Sequence, residues 1–212
     1  MAQSKELYDA IVVGDAKKAY AATQTALAEG ADPMQLIAES MVPAMDGVGK
    51  LFEAEEYFVP ELLLAGRAMK SAMELIRPLL VASGQRLAVR VLIGTVKGDL
   101  HDIGKNIVAS MLEGSGFEVI DLGTDVSPEA FVAAVRERDP HVVCMSALLT
   151  VTMPAMKTTI DALNAAGVRT KIKVLLGGAP VTSQYAEAIG ADGYSDNASG
   201  AVSLVKSLLA TA

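Results

Sequence analysis

The sequence predicts an all-α domain over residues 1–84 followed by a parallel, three-layer α/β domain over residues 85–212. Three observations lead there. Residues 4 to 82 carry helical periodicity in Ala, Leu, Met and Glu, with no alternating strand pattern. Composition changes at Ser83-Gly84-Gln85 to the run Val89-Arg90-Val91-Leu92-Ile93-Gly94, the first strong strand signal. Beyond it, five short apolar runs are separated by amphipathic helices, the rhythm of a parallel sheet covered on both faces, and the chain is too short for the repeats of a closed barrel.

In the first domain, Asp15 caps a helix from Ala16 to Glu29 that ends at Gly30. Asp32 caps the next, with Pro33 at the permissive first position and Gln35 three residues after the cap. Pro43 and Pro60 each lack a backbone donor, so a break, kink or new start is expected at both. The segment Glu55 to Leu64 leads into a further helix containing Met69 and Met73, and four or five short helices form a bundle.

In the second domain, Val89 to Gly94 is the first strand and Phe117 to Leu122 the second, with Gly114 and Gly116 letting the chain reverse between them. A helix from Pro128 to Arg138 precedes the strand Val142 to Ser146, and a helix from Met153 to Ala166 precedes the strand Lys173 to Leu176. Gly177-Gly178-Ala179-Pro180 makes a turn, Ser183 to Ile189 is helical, Asp192-Gly193-Tyr194 lies at the edge strand, and Ala201 to Leu209 closes the fold.

Composition bounds the function. Hydrophobic residues make up 51% of the chain, enough for a core without a disulfide scaffold, and the one cysteine, Cys144, fits a reducing compartment. The 18 basic and 25 acidic residues give a formal charge of −7, which argues against a phosphate-backbone partner, so no nucleic acid is expected. The first thirty residues lack the order of a secretion signal, and apolar stretches are interrupted well short of the roughly 20 residues that span a bilayer. A soluble, cytoplasmic chain without a membrane partner is expected.

There are two histidines, His101 and His141, which with a single thiol argues against the usual four-ligand zinc sites and leaves an Asp-rich site open. His141, beside Pro140 at the start of an apolar strand, reads as structural. His101 sits in Gly98-Asp99-Leu100-His101-Asp102-Ile103-Gly104-Lys105-Asn106, after the first strand and at the opening of the next helix, where α/β sheets form their ligand crevice. A neutral imidazole there can ligate a transition metal through one nitrogen while the other donates to Asp99, and Ser146, at a neighbouring strand end, has the chemistry to join that carboxylate. Helix capping by Asp99 and Asp102 with a surface hydrogen bond from His101 is an equal reading of the same residues. Gly177 and Gly178 either make a tight turn before Pro180 or omit side chains where a bulky group approaches. Thr150 and Thr152 are candidates either for ligand hydrogen bonds or for local capping.

The run Asp99-Leu100-His101-Asp102-Ile103-Gly104, then Ser146-Ala147-Leu148, then Gly177-Gly178, in that order, resembles the corrinoid proteins of anaerobic methyltransferase systems, and the second half is similar to the cobalamin-binding region of methionine synthase. The resemblance covers almost the whole chain. It implies a flavodoxin-like (Rossmann-like) five-stranded cobalamin-binding domain preceded by a four-helix cap. It further implies a cobalamin or related corrinoid bound base-off, with His101 as the lower axial cobalt ligand and Asp99 and Ser146 as its hydrogen-bonded relay. Gly98, Asp102, Ile103, Gly104, Leu148 and Thr150 would complete the cofactor contacts, and Gly177 and Gly178 would line a channel for the nucleotide tail. Gly123 to Val126 could contribute to the cofactor mouth, and Leu63, Met69 and Met73 either cover the methyl face or form a routine helix core.

The implied function is that of a methyl carrier. Cobalt(I) accepts a methyl group from a substrate-specific methyltransferase, and methyl-cobalt(III) delivers it to a second methyltransferase using a tetrahydropterin, such as tetrahydrofolate, or a thiol acceptor. A reductive activase is a further implied partner. As such a subunit the chain is part of an enzyme and does not turn over alone. The alternative is a cobalamin-binding sensor or regulatory module, against which no DNA-binding motif or basic stripe speaks for a target. A mutase subunit leaves the helical domain unexplained, flavodoxin-like electron transfer finds no obvious aromatic sandwich at 4% aromatic content, and the arrangement after Gly177 does not make the case for a receiver domain, which needs an acidic metal-binding pocket and a phosphorylatable Asp. The residues do not name the methyl donor.

Overall fold

A computed structural model describes residues 4–83 and 89–210. These divide into two compact units, one of residues 4–83 with 110–117, the other of residues 89–109 with 118–210. Of the boundary expected at Ser83-Gly84-Gln85, residues 84 and 85 lie outside the described residues.

The helical unit begins with α1 (Lys5–Val12), whose first turn is capped by the Ser4 hydroxyl accepting from Leu7 N. Asp15 caps α2 (Ala16–Ala28) by accepting from Lys18 N at 3.0 Å, and Asp32 caps α3 (Pro33–Leu36) by accepting from Gln35 N at 2.9 Å, as their sequence positions imply. The disturbance expected at Pro43 takes the form of a π-helical segment, Ile37–Met41, that runs straight into α4 (Val42–Glu53). A proline ring crowds the carbonyl four residues upstream, here that of Glu39, and the wider π turn gives it room. At α5 (Val59–Ala82), Pro60 falls in the first turn, where its missing N–H costs nothing, and Glu61 Oε2 accepts from Phe58 N at 2.9 Å.

One stripe of α5 forms the core of this unit: Leu62, Ala65, Ala68, Met69, Ala72, Met73 and Ile76 are all buried at helical spacing, beside Leu7, Ile11, Met41 and Met45. Met69 and Met73 therefore serve as core, while Leu63 is exposed. α5 packs against α2, whose buried positions, Ala19, Ala22 and Thr23, are small and permit close packing. Residues 110–117 belong with this unit, where Met45 packs so near Gly114 that a Cβ there would lie 2.7 Å from Met45 Cγ.

The second unit is a five-stranded parallel sheet in the order β2-β1-β3-β4-β5, made of β1 (Arg90–Thr95), β2 (Glu118–Asp121), β3 (Val142–Ser146), β4 (Lys173–Gly177) and β5 (Gly193–Tyr194). Its helices are α6 (Ile103–Gly114), α7 (Pro128–Arg138), α8 (Pro154–Ala165), α9 (Ser183–Ala188) and α10 (Ala198–Ala210), with a short 3-10 turn at Arg169–Lys171 that the sequence pattern does not mark. β1 and β3 are central and buried nearly throughout, because helices cover both faces, while β2 and β5 are the less buried edges. The core gathers Leu92, Val143, Met145, Val174 and Leu176 from the strands with Phe131, Met156, Ile160 and Leu163 from α7 and α8. Among the described residues no helix is long and apolar enough to cross a membrane.

Register fixes where ligands can meet the sheet. Thr95 pairs with Ser146, and Ser146 with Gly177, so the ends of β1, β3 and β4 lie in one row. The chain leaves β1 to build β2 on one side and returns to build β3 on the other, which places the switch point of the topology between the loops after β1 and β3.

Candidate functional site

The loop after β1 is fixed by hydrogen bonds from three directions. Thr95 Oγ1 donates to His101 O at 2.9 Å, Asp99 N donates to Val96 O at 3.1 Å, and Asp125 N donates to Asp99 O at 2.9 Å. Gly98, at φ +83°, a conformation that favours glycine, donates its N–H to Asp125 Oδ1 at 2.8 Å. That bond, followed by the neighbouring Lys97 ammonium, holds the Asp125 carboxyl below its ordinary range.

Asp99 is the centre of the site and is fully buried. Its Oδ1 accepts from His101 N at 3.1 Å and meets His101 Nδ1 at 2.7 Å. Its Oδ2 accepts from Leu148 N at 2.8 Å, Leu149 N at 3.2 Å and Thr152 Oγ1 at 2.7 Å. Burial alone pushes this carboxyl up. The hydrogen bonds from Thr152, from the His101 ring and from the Leu148 and His101 N–H groups outweigh it and hold the group well below the usual carboxylate range. An ionised carboxylate only accepts, so His101 Nδ1 donates to it, and in the neutral imidazole Nε2 is the nitrogen left to ligate. The imidazole is 48% exposed, hence available to a ligand, while its orienting partner is not.

The loops flanking this pair expose apolar side chains: Leu100 and Ile103 on one, Leu148, Leu149 and Val151 on the other. Exposed aliphatic residues grouped on two loops that meet at one buried aspartate mark a surface meant to be covered. Gly104 adds open space, since a Cβ there would meet nothing within 4 Å. Among the described residues no group of three or more His, Cys, Asp or Glu side chains could hold a metal ion. A single imidazole beneath an apolar rim suits a metal that brings its own planar ring of ligands.

Ser146, half-buried at the end of β3, makes no hydrogen bond to Asp99 among the described residues; its carbonyl accepts from Val96 N at 3.0 Å, and the hydroxyl that reaches Asp99 belongs to Thr152. Thr150 is exposed on the same loop, and Asp102 accepts from Asn106 Nδ2 at 3.1 Å in the first turn of α6. Gly178, at φ +122°, admits the backbone of the neighbouring loop: a Cβ there would come within 1.9 Å of Ala147 O. Gly177 is less constrained, its Cβ position lying 3.5 Å from Ser195 O. His141 stands at the opposite ends of the strands, accepting from Arg90 N through Nδ1 at 3.2 Å, and Cys144 is an inert core thiol whose burial pushes it up to about 12.

Sequence reasoning left Lys105 and Asp121 without a role. Lys105 is almost wholly buried, ion-paired with Asp121 at the end of β2, and donates to Asn106 Oδ1 at 2.7 Å. A lysine at a helical position that faces the sheet is the only sequence signal for this pair.

Two B12 binding domain models match the chain, over residues 3–77 and 89–203. The trimethylamine corrinoid protein of Methanosarcina barkeri is 43% identical over 211 residues, 99% of this chain and 96% of its own length. This chain belongs to the corrinoid proteins. Dimethylamine corrinoid protein 1 of Methanosarcina acetivorans is 39% identical, with 97% of each chain covered. The corrinoid-protein fold also matches the methanol:cobalamin methyltransferase complex of Methanosarcina barkeri, with a TM-score of 0.88 at 30% identity over 99% of this chain and 80% of that one. The helical region followed by a five-stranded parallel sheet is thus the architecture of a B12-binding corrinoid protein.

Proposed function

We propose that this corrinoid protein binds its cofactor base-off, with His101 Nε2 as the lower axial ligand to cobalt, and carries a methyl group between two methyltransferases. The observation that carries the reading is the half-exposed imidazole whose Nδ1–H is committed to a buried, ionised Asp99. When bound, the corrinoid supplies a cobalt centre able to accept and release a methyl group.

The chain's own residues hold and orient. Asp99 fixes the His101 tautomer and, by drawing on its proton, makes Nε2 a more basic ligand. Leu100, Ile103, Leu148, Leu149 and Val151 present the apolar surface on which a corrin ring rests, and the space beside Gly104 leaves its edge unobstructed. Gly98 keeps the ligand loop in its turn, and Asp102 and Thr150 are placed at the rim for polar contacts with the ring's side chains. The nucleotide tail passes Gly177, where nothing but the Ser195 carbonyl stands close, while Gly178 serves it indirectly by seating Ala147.

Identity to both the trimethylamine and the dimethylamine corrinoid proteins supports a methylated amine as the donor class. The partners are then an amine-specific methyltransferase, a second methyltransferase that passes the methyl group to a thiol or tetrahydropterin, and a reductive activase that rescues oxidised cobalt. The decisive experiment reconstitutes the protein with hydroxocobalamin and records the optical spectrum with and without His101→Ala. The wild type shows histidine coordination and the variant loses it; the same spectrum in both rejects the assigned ligand. Methylation of the reduced holoprotein by a trimethylamine methyltransferase but not by a methanol methyltransferase then identifies the donor class.

A further inference from the structure

We infer that Asp125, in the loop after β2, positions the cobalt ligand by clamping the main chain on either side of the Gly98–Asp99 peptide, and so acts on His101 through Asp99. The inference deepens the reading of His101 as cobalt ligand and rests on it.

Asp125 meets the ligand loop twice. Its Oδ1 accepts from Gly98 N at 2.8 Å, and its own N–H donates to Asp99 O at 2.9 Å. Between these two points lie both backbone dihedrals of Gly98 and both of Asp99, the torsions that aim the Asp99 side chain at His101. The Asp99 carboxylate is held by donors from the loop after β3, on one side of β1. The main chain behind that carboxylate is held from the loop after β2, on the other side of β1, so neither loop duplicates the other.

The loop that carries Asp125 is itself fixed. Thr95 N donates to Gly123 O and Val126 N to Thr95 O, each at 2.9 Å, and Gly123 N donates to Asp121 Oδ1 at 2.8 Å, while Asp121 Oδ2 pairs with the buried Lys105. Asp125 stands in this loop at φ +54°, in the left-handed region where a glycine is at ease and a side chain is strained. A glycine there would make the same backbone bond to Asp99, so what the side chain adds is the bond to Gly98. The Lys97 ammonium lies 3.2 Å from the same oxygen, an exposed ion pair on which the clamp does not depend. The Asp125 side chain is 43% exposed, so its bond to Gly98 competes with water and acts through direction more than through strength. Asp125 is therefore a positioning residue.

The test uses full-length protein labelled with nitrogen-15 and read first without cobalamin. Asp125→Gly keeps the left-handed turn and removes the acceptor. Amide hydrogen exchange at Gly98 then speeds about tenfold, and exchange of the His101 N–H, which bonds to Asp99 Oδ1, speeds with it. Asp125→Asn tolerates the same backbone and keeps an acceptor oxygen, and restores both rates. Protein loaded with hydroxocobalamin and reduced to cobalt(II) is read next by electron paramagnetic resonance, in which an axial imidazole nitrogen adds its own splitting to the cobalt lines. Asp125→Gly lowers the share of molecules with that splitting at saturating cobalamin, and Asp125→Asn returns it. An unchanged rate at Gly98 overturns the inference. So does a faster one that leaves either the His101 exchange or the coordinated share at its wild-type value, and so does a failure of Asp125→Asn to restore them. Should Asp125→Gly fail to fold, Asp125→Glu carries the carboxylate a methylene beyond the Gly98 N–H and must change rates and share in the same direction, and no change there also overturns it. A wild type without nitrogen splitting defeats the ligand reading instead, and the cobalamin-free exchange rates still decide the role of Asp125.

Discussion

Five donors converge on the Asp99 carboxylate, and the backbone N–H groups among them, of His101, Leu148 and Leu149, cannot accept from a neutral amide in its place. In Asp99→Asn the amide must turn its NH2 either toward His101 or toward the N–H groups of Leu148 and Leu149, leaving buried donors opposed to a donor. Each such group costs about 1–3 kcal/mol, so the variant should lose about 2–4 kcal/mol in urea unfolding at neutral pH. The pH dependence has a definite sign. A carboxyl held below its ordinary 3.8 binds its proton more weakly folded than unfolded, so its contribution is complete above that value and is lost as pH falls through the depressed one. The gap between wild type and Asp99→Asn should therefore be full at about pH 6 and narrow toward about pH 2, and a constant gap would refute the assignment. The local part of this site was legible in the sequence: Asp99 and His101 are two residues apart, and a turn brings them together whatever the rest of the fold does. Thr152 is 53 residues from Asp99, and its choice over Ser146 depends on the course of the loop after β3, which no periodicity encodes.

Among the elements, helix caps and buried strands could be read in advance because they depend on neighbours within one turn or one strand. Asp15, Asp32 and the apolar runs of β1 and β3 are of this kind. The π-helical segment before Pro43 and the continuation of α5 through Pro78 were not legible, since they depend on what covers the helix. Pro78 is exposed, as is Glu74, whose carbonyl loses its i+4 donor and can be hydrated instead. The buried lysine of α6 raises the same issue with charge. Lys105 is 1% exposed in its side chain and Asp121 is 40% exposed, so the two ends of this ion pair are not equivalent. Removing the carboxylate in Asp121→Ala strands a buried ammonium and should cost about 3–5 kcal/mol. Lys105→Met replaces the ammonium with an apolar chain and lets Asp121 rehydrate, so its cost should stay below about 1.5 kcal/mol. Chemical denaturation of the two variants side by side checks the asymmetry, and equal losses would show that Asp121 is not what compensates Lys105.

At the scale of the whole sheet, the ligand loop does not hold its geometry alone, because the strand ends of β1, β3 and β4 share one row. Asp99 is set by the loop after β3, and the loop after β3 is in turn set by the turn after β4, where Gly178 admits Ala147 O. The sequence motif lists these pieces in order, and the parallel register is what joins them into one device. A methyl group at position 178 would sit 1.9 Å from the Ala147 carbonyl and would require φ +122°, so either the turn or the loop must move. Moving Ala147 carries the Leu148 and Leu149 N–H groups away from Asp99 Oδ2, one and two residues along. Gly178→Ala should therefore lose about 3 kcal/mol or more of stability and also reduce the histidine-coordinated share of bound hydroxocobalamin. Gly177→Ala, whose added carbon meets only Ser195 O at 3.5 Å, should fold with near wild-type stability and keep the His101 tautomer. Thermal unfolding and the nitrogen-15 signals of His101 separate the two. If Gly178→Ala folds normally yet leaves His101 unperturbed, the coupling across the sheet from β4 through β3 to the ligand loop is not transmitted by the Ala147 backbone.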